Sequence, residues 1–223
     1  MPISKEIHLK SRPKGLPTAD NFEFVDVDIP DPGENEVLVL NIYMSVDPYM
    51  RGRMREDFAL GQVLAGGAVG KVVASNNPGF TVGDYVSNFS GWREYLTSAG
   101  SDLSKVDISL APLSSYLGVM GMPGLTAYGG LLVTGELKDG ETVFVSAASG
   151  AVGSVVGQIA KVKGCTVIGS AGSDDMPAGA AAQAGFSSAG FFPAPGADCD
   201  ESPWRSASQP RLSNLQRIRE DRR

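Results

Sequence analysis

Residues Thr142–Ser173 read TVFVSAASGAVGSVVGQIAKVKGCTVIGSAGS, and this stretch decides the fold. Thr142–Ala147 is an apolar run suited to a parallel strand buried on both faces. From Gly150 to Lys163 the spacing turns helical, with Val152, Val156, Ile159 and Lys163 recurring at three or four. Gly164 stands where a helix ends in a left-handed residue, a conformation that costs glycine little. Thr166–Gly169 is the next strand. The pattern predicts one strand–helix–strand crossover, right-handed as such units are.

Between the first strand and the helix lies Ala147-Ala148-Ser149-Gly150-Ala151-Val152-Gly153. A glycine at 150 lets the backbone approach a pyrophosphate, and a glycine at 153 lets helix and strand pack closely. The first free N–H groups of the helix then point at the phosphates, aided by the helix dipole. This is a G-x-x-G variant of the dinucleotide fingerprint, with Ala147 where the first glycine often lies. The competing reading is a glycine turn with no ligand. NAD sites place Asp or Glu about 20 residues beyond the glycines, on the ribose hydroxyl. Here Ser170-Ala171-Gly172-Ser173 is small and neutral, which leaves room for a 2′-phosphate and favours NADPH. Asp174 and Asp175 would repel that phosphate if they turned inward.

The stretch before it has a different texture. Up to about residue 115, short β-rich runs alternate with turns: Glu36–Tyr43, Ala68–Ala74 and Tyr85–Phe89, with Asn77-Pro78-Gly79 between the second and third. Gly91–Thr97 is expected to pair with Tyr85–Phe89. Strands at this spacing predict a small antiparallel barrel or sandwich. Gly121–Leu132 reads as a turn feeding a helix, with Pro123 tolerated at its entry. The fold class is therefore α/β with β: a barrel over 1–115, then a partial parallel-sheet domain over 116–175. From Met176 to Arg223 the pattern is lost among Ala, Gly, Pro, Ser and Arg; disorder is expected, with one weak helix at Leu212, Leu215 and Ile218.

Composition excludes several functions. The 223 residues carry 19 Lys+Arg against 25 Asp+Glu, a net charge of −6, which argues against nucleic acid as a partner. No apolar run approaches the roughly 20 residues of a membrane span, and the polar N-terminus lacks a signal-peptide core, so a cytoplasmic protein is expected. Cys165 and Cys199 are the two cysteines and His8 the one histidine. Neither a disulfide framework, a zinc site nor a Ser-His-Asp triad is expected from that set, and His8 reads as an ordinary residue of the first strand.

Three motifs in order carry a resemblance: Val46–Met54 (VDPYMRGRM), Gly121–Tyr128 (GMPGLTAY) and Ser146–Lys161. Over about residues 5–175 the chain resembles the zinc-independent medium-chain dehydrogenases/reductases, in the branch of NADPH-dependent double-bond reductases. The resemblance implies a GroES-like barrel followed by a Rossmann domain. It implies hydride transfer from NADPH to the β-carbon of an α,β-unsaturated ketone or aldehyde, a small-molecule partner, and a homodimer in intact members. Gly150, Ala151, Val152, Gly153 and Ser173 match its cofactor loop, Thr126 and Met122 its nicotinamide side, and Tyr49 an aromatic near the substrate. Two bland alternatives stand beside these: Tyr49 as a packing aromatic under Met50, and Thr126 as a hydroxyl satisfying backbone donors. A quinone reductase of the same superfamily and a non-catalytic remnant are the other functions weighed.

The resemblance stops after Asp175. Met176 stands where the family carries a lysine for the 2′-phosphate, and the segment between Arg55 and Gly61 is short. The tyrosine assigned as proton donor is not recognisable, so no catalytic residue is assigned. Met176-Pro177 reads as cysteine one base later, and Gln183–Phe186 can read Lys-Leu-Gly-Phe. Residues 176–223 are thus expected to be a frameshifted reading of a longer reductase gene, and the chain to be weakly active or inactive.

Overall fold

The computed structural model describes residues 1–171 and the backbone of 188–190 and 215–217. It divides into two units, Met1–Leu117 with the strand at 215–217, and a second beginning at Gly118.

In the first unit β1 (Ile3–Leu9) and β2 (Phe22–Asp28) form an antiparallel pair, in register from Ile3 opposite Asp28 to Leu9 opposite Phe22. The larger sheet is built on β3 (Val37–Ser45), which pairs along one edge with β4 (Ala68–Ser75). Short helix α1 (Pro48–Arg53) follows β3. Strand β5 (Tyr85–Asn88) joins β4 on its far side. The other edge of β3 takes β6 (Tyr95–Ser98) over Val37–Leu40. This corrects the expected pairing of Gly91–Thr97 with Tyr85–Phe89. The free edge of β5 is taken by β7 (Ser104–Lys105), while β6 on β3 sends Leu96 into the core.

Two apolar clusters hold this unit. Val37, Val39, Val72, Val86, Leu96 and Leu103 form one; Leu9, Met50, Met54, Phe58 and Leu64 form the other. Asn41 is buried yet satisfied: its Nδ2 donates to the carbonyls of Ser90 and Arg93, both at 3.1 Å, and its Oδ1 accepts from Asn88 at 2.9 Å. Such a network fixes one arrangement of the strands because every member has a partner. His8 lies in β1 as expected, with Nε2 2.8 Å from Glu6 Oε2 and Nδ1 3.1 Å from the Gly61 carbonyl.

The second unit opens with α2 (Met122–Tyr128), entered at Gly121 with Pro123 in its first turn. Gly124 fits because a side chain there would strike the Val119 carbonyl. Beyond Tyr128 the expected helix widens into a π-type coil, Gly129–Thr134, closed by the Gly135 amide on the Gly130 carbonyl at 2.9 Å. Then come β8 (Thr142–Val145), α3 (Gly153–Val162) and β9 (Thr166–Ser170), with β8 and β9 parallel. Gly164 is left-handed as expected, φ 72°. Val145, Ala148, Ala160, Cys165 and Val167 make the core under α3. The expectation that β8 is buried on both faces fails at Phe144, which is 60% exposed. Only one face of the strand is covered among the described residues.

Beyond Asp175, where the sequence pattern is lost, two short strands nevertheless form. Ser188–Gly190 (β10) pairs parallel with β9, and the sheet order is β10-β9-β8. Leu215–Arg217 (β11) pairs antiparallel with Tyr43–Ser45 of β3, where the sequence suggested helix. Both additions satisfy backbone groups that a bare strand edge leaves open, something no side-chain pattern announces. The rest of 172–223, with its expected disorder, lies outside the described residues, and so do Ser173, Asp174, Asp175 and Cys199. Among the described residues no helix is long and apolar enough to cross a membrane, and no group of three His, Cys, Asp or Glu could hold a metal.

Candidate cofactor site

The sheet order β10-β9-β8 reads third, second, first, which is one half of a doubly wound sheet. Ligands of such sheets sit beyond the carboxyl ends of the strands where the order reverses, at the first strand. That point is the turn from β8 into α3.

The turn is built by backbone bonds. Ala148 N–H donates to the Ser170 carbonyl at 2.8 Å and ties the turn to the end of β9. Gly150 N–H donates to the Ala147 carbonyl at 2.9 Å, and the amides of Ser154 and Val156 reach back to Gly150 and Val152, both at 3.0 Å. The amides of Ala151, Val152 and Gly153 have no acceptor among the described residues. They are the orphan donors of a helix start, and an anion placed there meets three N–H groups and the positive end of α3.

Two positions explain the local sequence. Ala147 holds φ 49°, left-handed without being glycine, which is the strain expected where the fingerprint has its first glycine. A Cβ on Gly153 would stand 2.5 Å from the Ala147 carbonyl oxygen and 3.0 Å from Ala148 Cα. Glycine is thus needed for α3 to sit against the turn. At Gly150 the same test gives a single neighbour, the Ala147 oxygen at 3.1 Å.

Beside the turn lies a cavity of about 490 Å³, lined by Thr126, Gly130, Ser146, Gly150, Val152 and Gly153 among others. Tertiary structure therefore brings Thr126 to the glycine turn. Its Oγ1 donates to the Met122 carbonyl at 2.8 Å, so the hydroxyl caps no N–H, contrary to the alternative read from sequence. Met122 starts α2, is exposed, and does not line the cavity. Ser146 and Gly130 are lining residues that sequence reasoning missed. Ser146 could have been found from its place just past the strand, where such crevices open. The cavity wall offers hydroxyls and amides but no titratable side chain among the described residues. A larger groove, about 600 Å³, runs past Tyr128, Val155, Ile159 and Val162, and it contains none of the open amides.

Tyr49 belongs to the first unit, at the start of α1. Its ring stacks on Phe89 with centroids 6.0 Å apart and packs on the Leu9–Met50–Leu64 cluster. Its hydroxyl is buried without a hydrogen-bond partner among the described residues. Burial raises the phenol pKa and the Asp47 carboxylate adds to this, while Arg53 acts against it, as does the nearby Gly67 backbone, which falls short of hydrogen-bond geometry with the hydroxyl.

A barrel built on β3 and a parallel sheet opening with a glycine turn define a two-unit protein of the GroES-like plus Rossmann class. The comparisons agree. Residues 5–106 match the N-terminal domain of oxidoreductase family. NADPH-dependent curcumin reductase of Escherichia coli is 49% identical over 170 residues, which is 74% of this chain and 49% of that protein. The NADP(+)-dependent 2-alkenal reductase of Nicotiana tabacum is 46% identical over 184 residues, 77% of this chain and 53% of its own length. The crystal structure of CurA in complex with NADPH from Vibrio vulnificus superposes with a TM-score of 0.78 at 45% identity, over 85% of this chain and 58% of that one. Residues 5–106 thus carry the N-terminal domain of oxidoreductase, and over about three quarters of its length the chain is similar to NADP-dependent double-bond reductases. It spans about half the length of the curated relatives it matches.

Proposed function

We propose that this chain carries the cofactor-binding opening of an NADPH-dependent reductase that saturates the C=C bond of α,β-unsaturated ketones or aldehydes. The observation that carries the reading is the set of open amides at Ala151, Val152 and Gly153 over a glycine that lets α3 close on the turn. The donor set fits a pyrophosphate, which takes N–H donors and a helix N-terminus without any metal. The end of β9, Ser170-Ala171, brings no carboxylate that would refuse a 2′-phosphate.

When bound, NADPH supplies the hydride that reaches the β-carbon of the substrate. The chain's own residues bind and orient. The amides of 151–153 hold phosphate oxygens, and the wall at Thr126, Gly130 and Ser146 bounds the space beside them. Thr126 and Met122 are proposed for the nicotinamide side, and Ser173 for the ribose phosphate. Reduction of an enone also needs an oxyanion donor and a proton for the α-carbon. Among the described residues the cavity wall supplies no acid for either. Tyr49 is proposed only as an aromatic on the substrate side, and no residue is assigned as the acid. The amount of machinery present supports binding ahead of turnover, and a cytoplasmic setting suits a small enone or enal as partner.

Titration of the purified chain with NADPH and NADH, followed by an enone absorbance assay, tests this. NADPH is expected to bind, with NADH weaker by about tenfold and turnover far below enzyme rates. Equal affinity for the two, or none for either, would remove the cofactor reading. Turnover at ordinary rates would overturn the binding-first reading.

A further inference from the structure

His8 takes no part in the cofactor site, yet both of its ring nitrogens are engaged. Nε2 lies 2.8 Å from Glu6 Oε2, and Nδ1 lies 3.1 Å from the Gly61 carbonyl oxygen. Both partners are acceptors. A neutral imidazole has one N–H and one bare lone pair, so it serves one of these oxygens and sets its lone pair against the other. The imidazolium, with two N–H groups, satisfies both. Few charged groups surround the ring. Glu6 is 7% exposed, and Glu23 stands opposite His8 in β2, on the same face of the pair. Arg93 lies 4.0 Å from Glu6 Oε1, the carboxylate oxygen that His8 does not use. Lys10, further along from β1, is exposed, and Gly61-Gln62-Val63, which runs beside β1, carries no charge.

What the second proton decides is the contact with Gly61. A hydrogen bond to a carboxylate is stronger than one to a carbonyl, so a ring with one proton left keeps Glu6. The Gly61 carbonyl receives no backbone donor among the described residues, and His8 is its partner. The turn around Gly61 is otherwise tied to β1 by two backbone bonds. Gly61 N–H donates to the Leu9 carbonyl at 2.8 Å, and Leu9 N–H donates to the Gln62 carbonyl at 3.1 Å. Ala59 and Leu60 are exposed, and Gly61 is left-handed with φ 68°. Losing one of three ties therefore matters here. We propose that His8 is a proton-operated clasp. As imidazolium it bridges Glu6 and Gly61 and holds the turn Ala59–Gln62 on β1; as neutral imidazole it keeps Glu6 and releases the turn. The released turn is the one the chain enters after α1, the helix that carries Tyr49. The clasp uses the first unit alone and stands whether or not the cofactor reading does.

The chain has one histidine, so its ring signals in a nitrogen-15 NMR spectrum belong to His8 without ambiguity. The full chain is titrated from about pH 5 to 8, the interval in which histidine changes charge. At the acid end both ring nitrogens are expected to carry protons. As pH rises, the Nδ1 proton is expected to leave while Nε2–H stays on Glu6. Over the same interval amide protection factors, which remove the intrinsic pH dependence of exchange, are expected to fall at Leu9 and Gly61. The fall should be about three- to tenfold, the worth of one hydrogen bond. Protection of the Val72 amide, bonded to the Asp84 carbonyl at 2.8 Å, should hold constant. His8→Gln, which does not titrate, is expected to abolish the pH dependence at Leu9 and Gly61. A neutral ring that keeps Nδ1–H overturns the proposal. So does unchanged protection at Gly61 while the ring loses its proton, or the same fall in His8→Gln. Should that variant fail to fold, the ring spectrum and amide protection of the parent, read in one sample, decide the matter.

Discussion

Replacing Gly153 by alanine is the sharpest probe of the turn. The added Cβ would lie 2.5 Å from the Ala147 carbonyl oxygen, 3.0 Å from Ala148 Cα and 3.1 Å from the Ala147 carbonyl carbon. All three are backbone atoms, so no side chain can swing aside, and α3 must move outward by several tenths of an ångström. Overpacking of this kind costs about 1–3 kcal/mol. The better helix propensity of alanine returns at most about 1 kcal/mol, and less at a first helical position. The net expectation is a loss of about 1–2 kcal/mol, a fall in Tm of roughly 2–8 °C for a chain of this size. Because the moved helix carries the open amides, NADPH affinity is expected to fall by about tenfold as well. Gly164→Ala is the control. It is strained by its φ of 72° but has nothing within 4 Å, so it should cost about 1 kcal/mol and leave the ligand alone. Circular dichroism melts and a fluorescence titration read both effects. A Gly153→Ala chain that melts within a degree of the parent and binds NADPH equally would refute the close-packing argument.

Asn41→Ala should destabilise the barrel by about 2–3 kcal/mol, because it strands the Asn88 amide and two carbonyls in the interior; a denaturant midpoint shift measures it. Asp84 has its pKa lowered, first by the hydrogen bond from Lys105 at 2.7 Å and then by the Thr81 amide at 2.9 Å. A lowered folded pKa means the stabilisation is present above the unfolded value and is lost as pH falls through the folded one. The difference in Tm between the parent and Asp84→Asn should therefore be largest near neutrality and vanish in acid below the carboxylate range. Tyr49→Phe removes a buried hydroxyl that has no partner, so stability should hold or rise by up to about 1 kcal/mol. In the parent, an alkaline absorbance titration should show one tyrosine ionising above the usual range, and a destabilised Tyr49→Phe chain would reveal a partner for the hydroxyl.

The crossover was legible because its information is local. Apolar runs placed β8 and β9 to within two residues, the three-and-four spacing placed most of α3, and the left-handed demand at Gly164 named its own residue. The glycine turn was legible for the same reason: Gly150 and Gly153 are constrained by atoms a few residues away. What the sequence alone determined is thus the glycine turn, the strand–helix–strand unit around it, and the resemblance to the double-bond reductases. Tertiary structure decided the rest. Whether β6 pairs with β3 or β5 depends on which edge β7 fills, a competition between segments far apart in the chain. The arrival of Thr126 at the turn depends on how α2 lies against α3. Ser188–Gly190 carries no strand composition and is held by the backbone edge of β9. Phe144 reads as core in sequence, since an apolar residue in a strand records only that a cover is required. Whether a cover is there is a property of the assembled sheet.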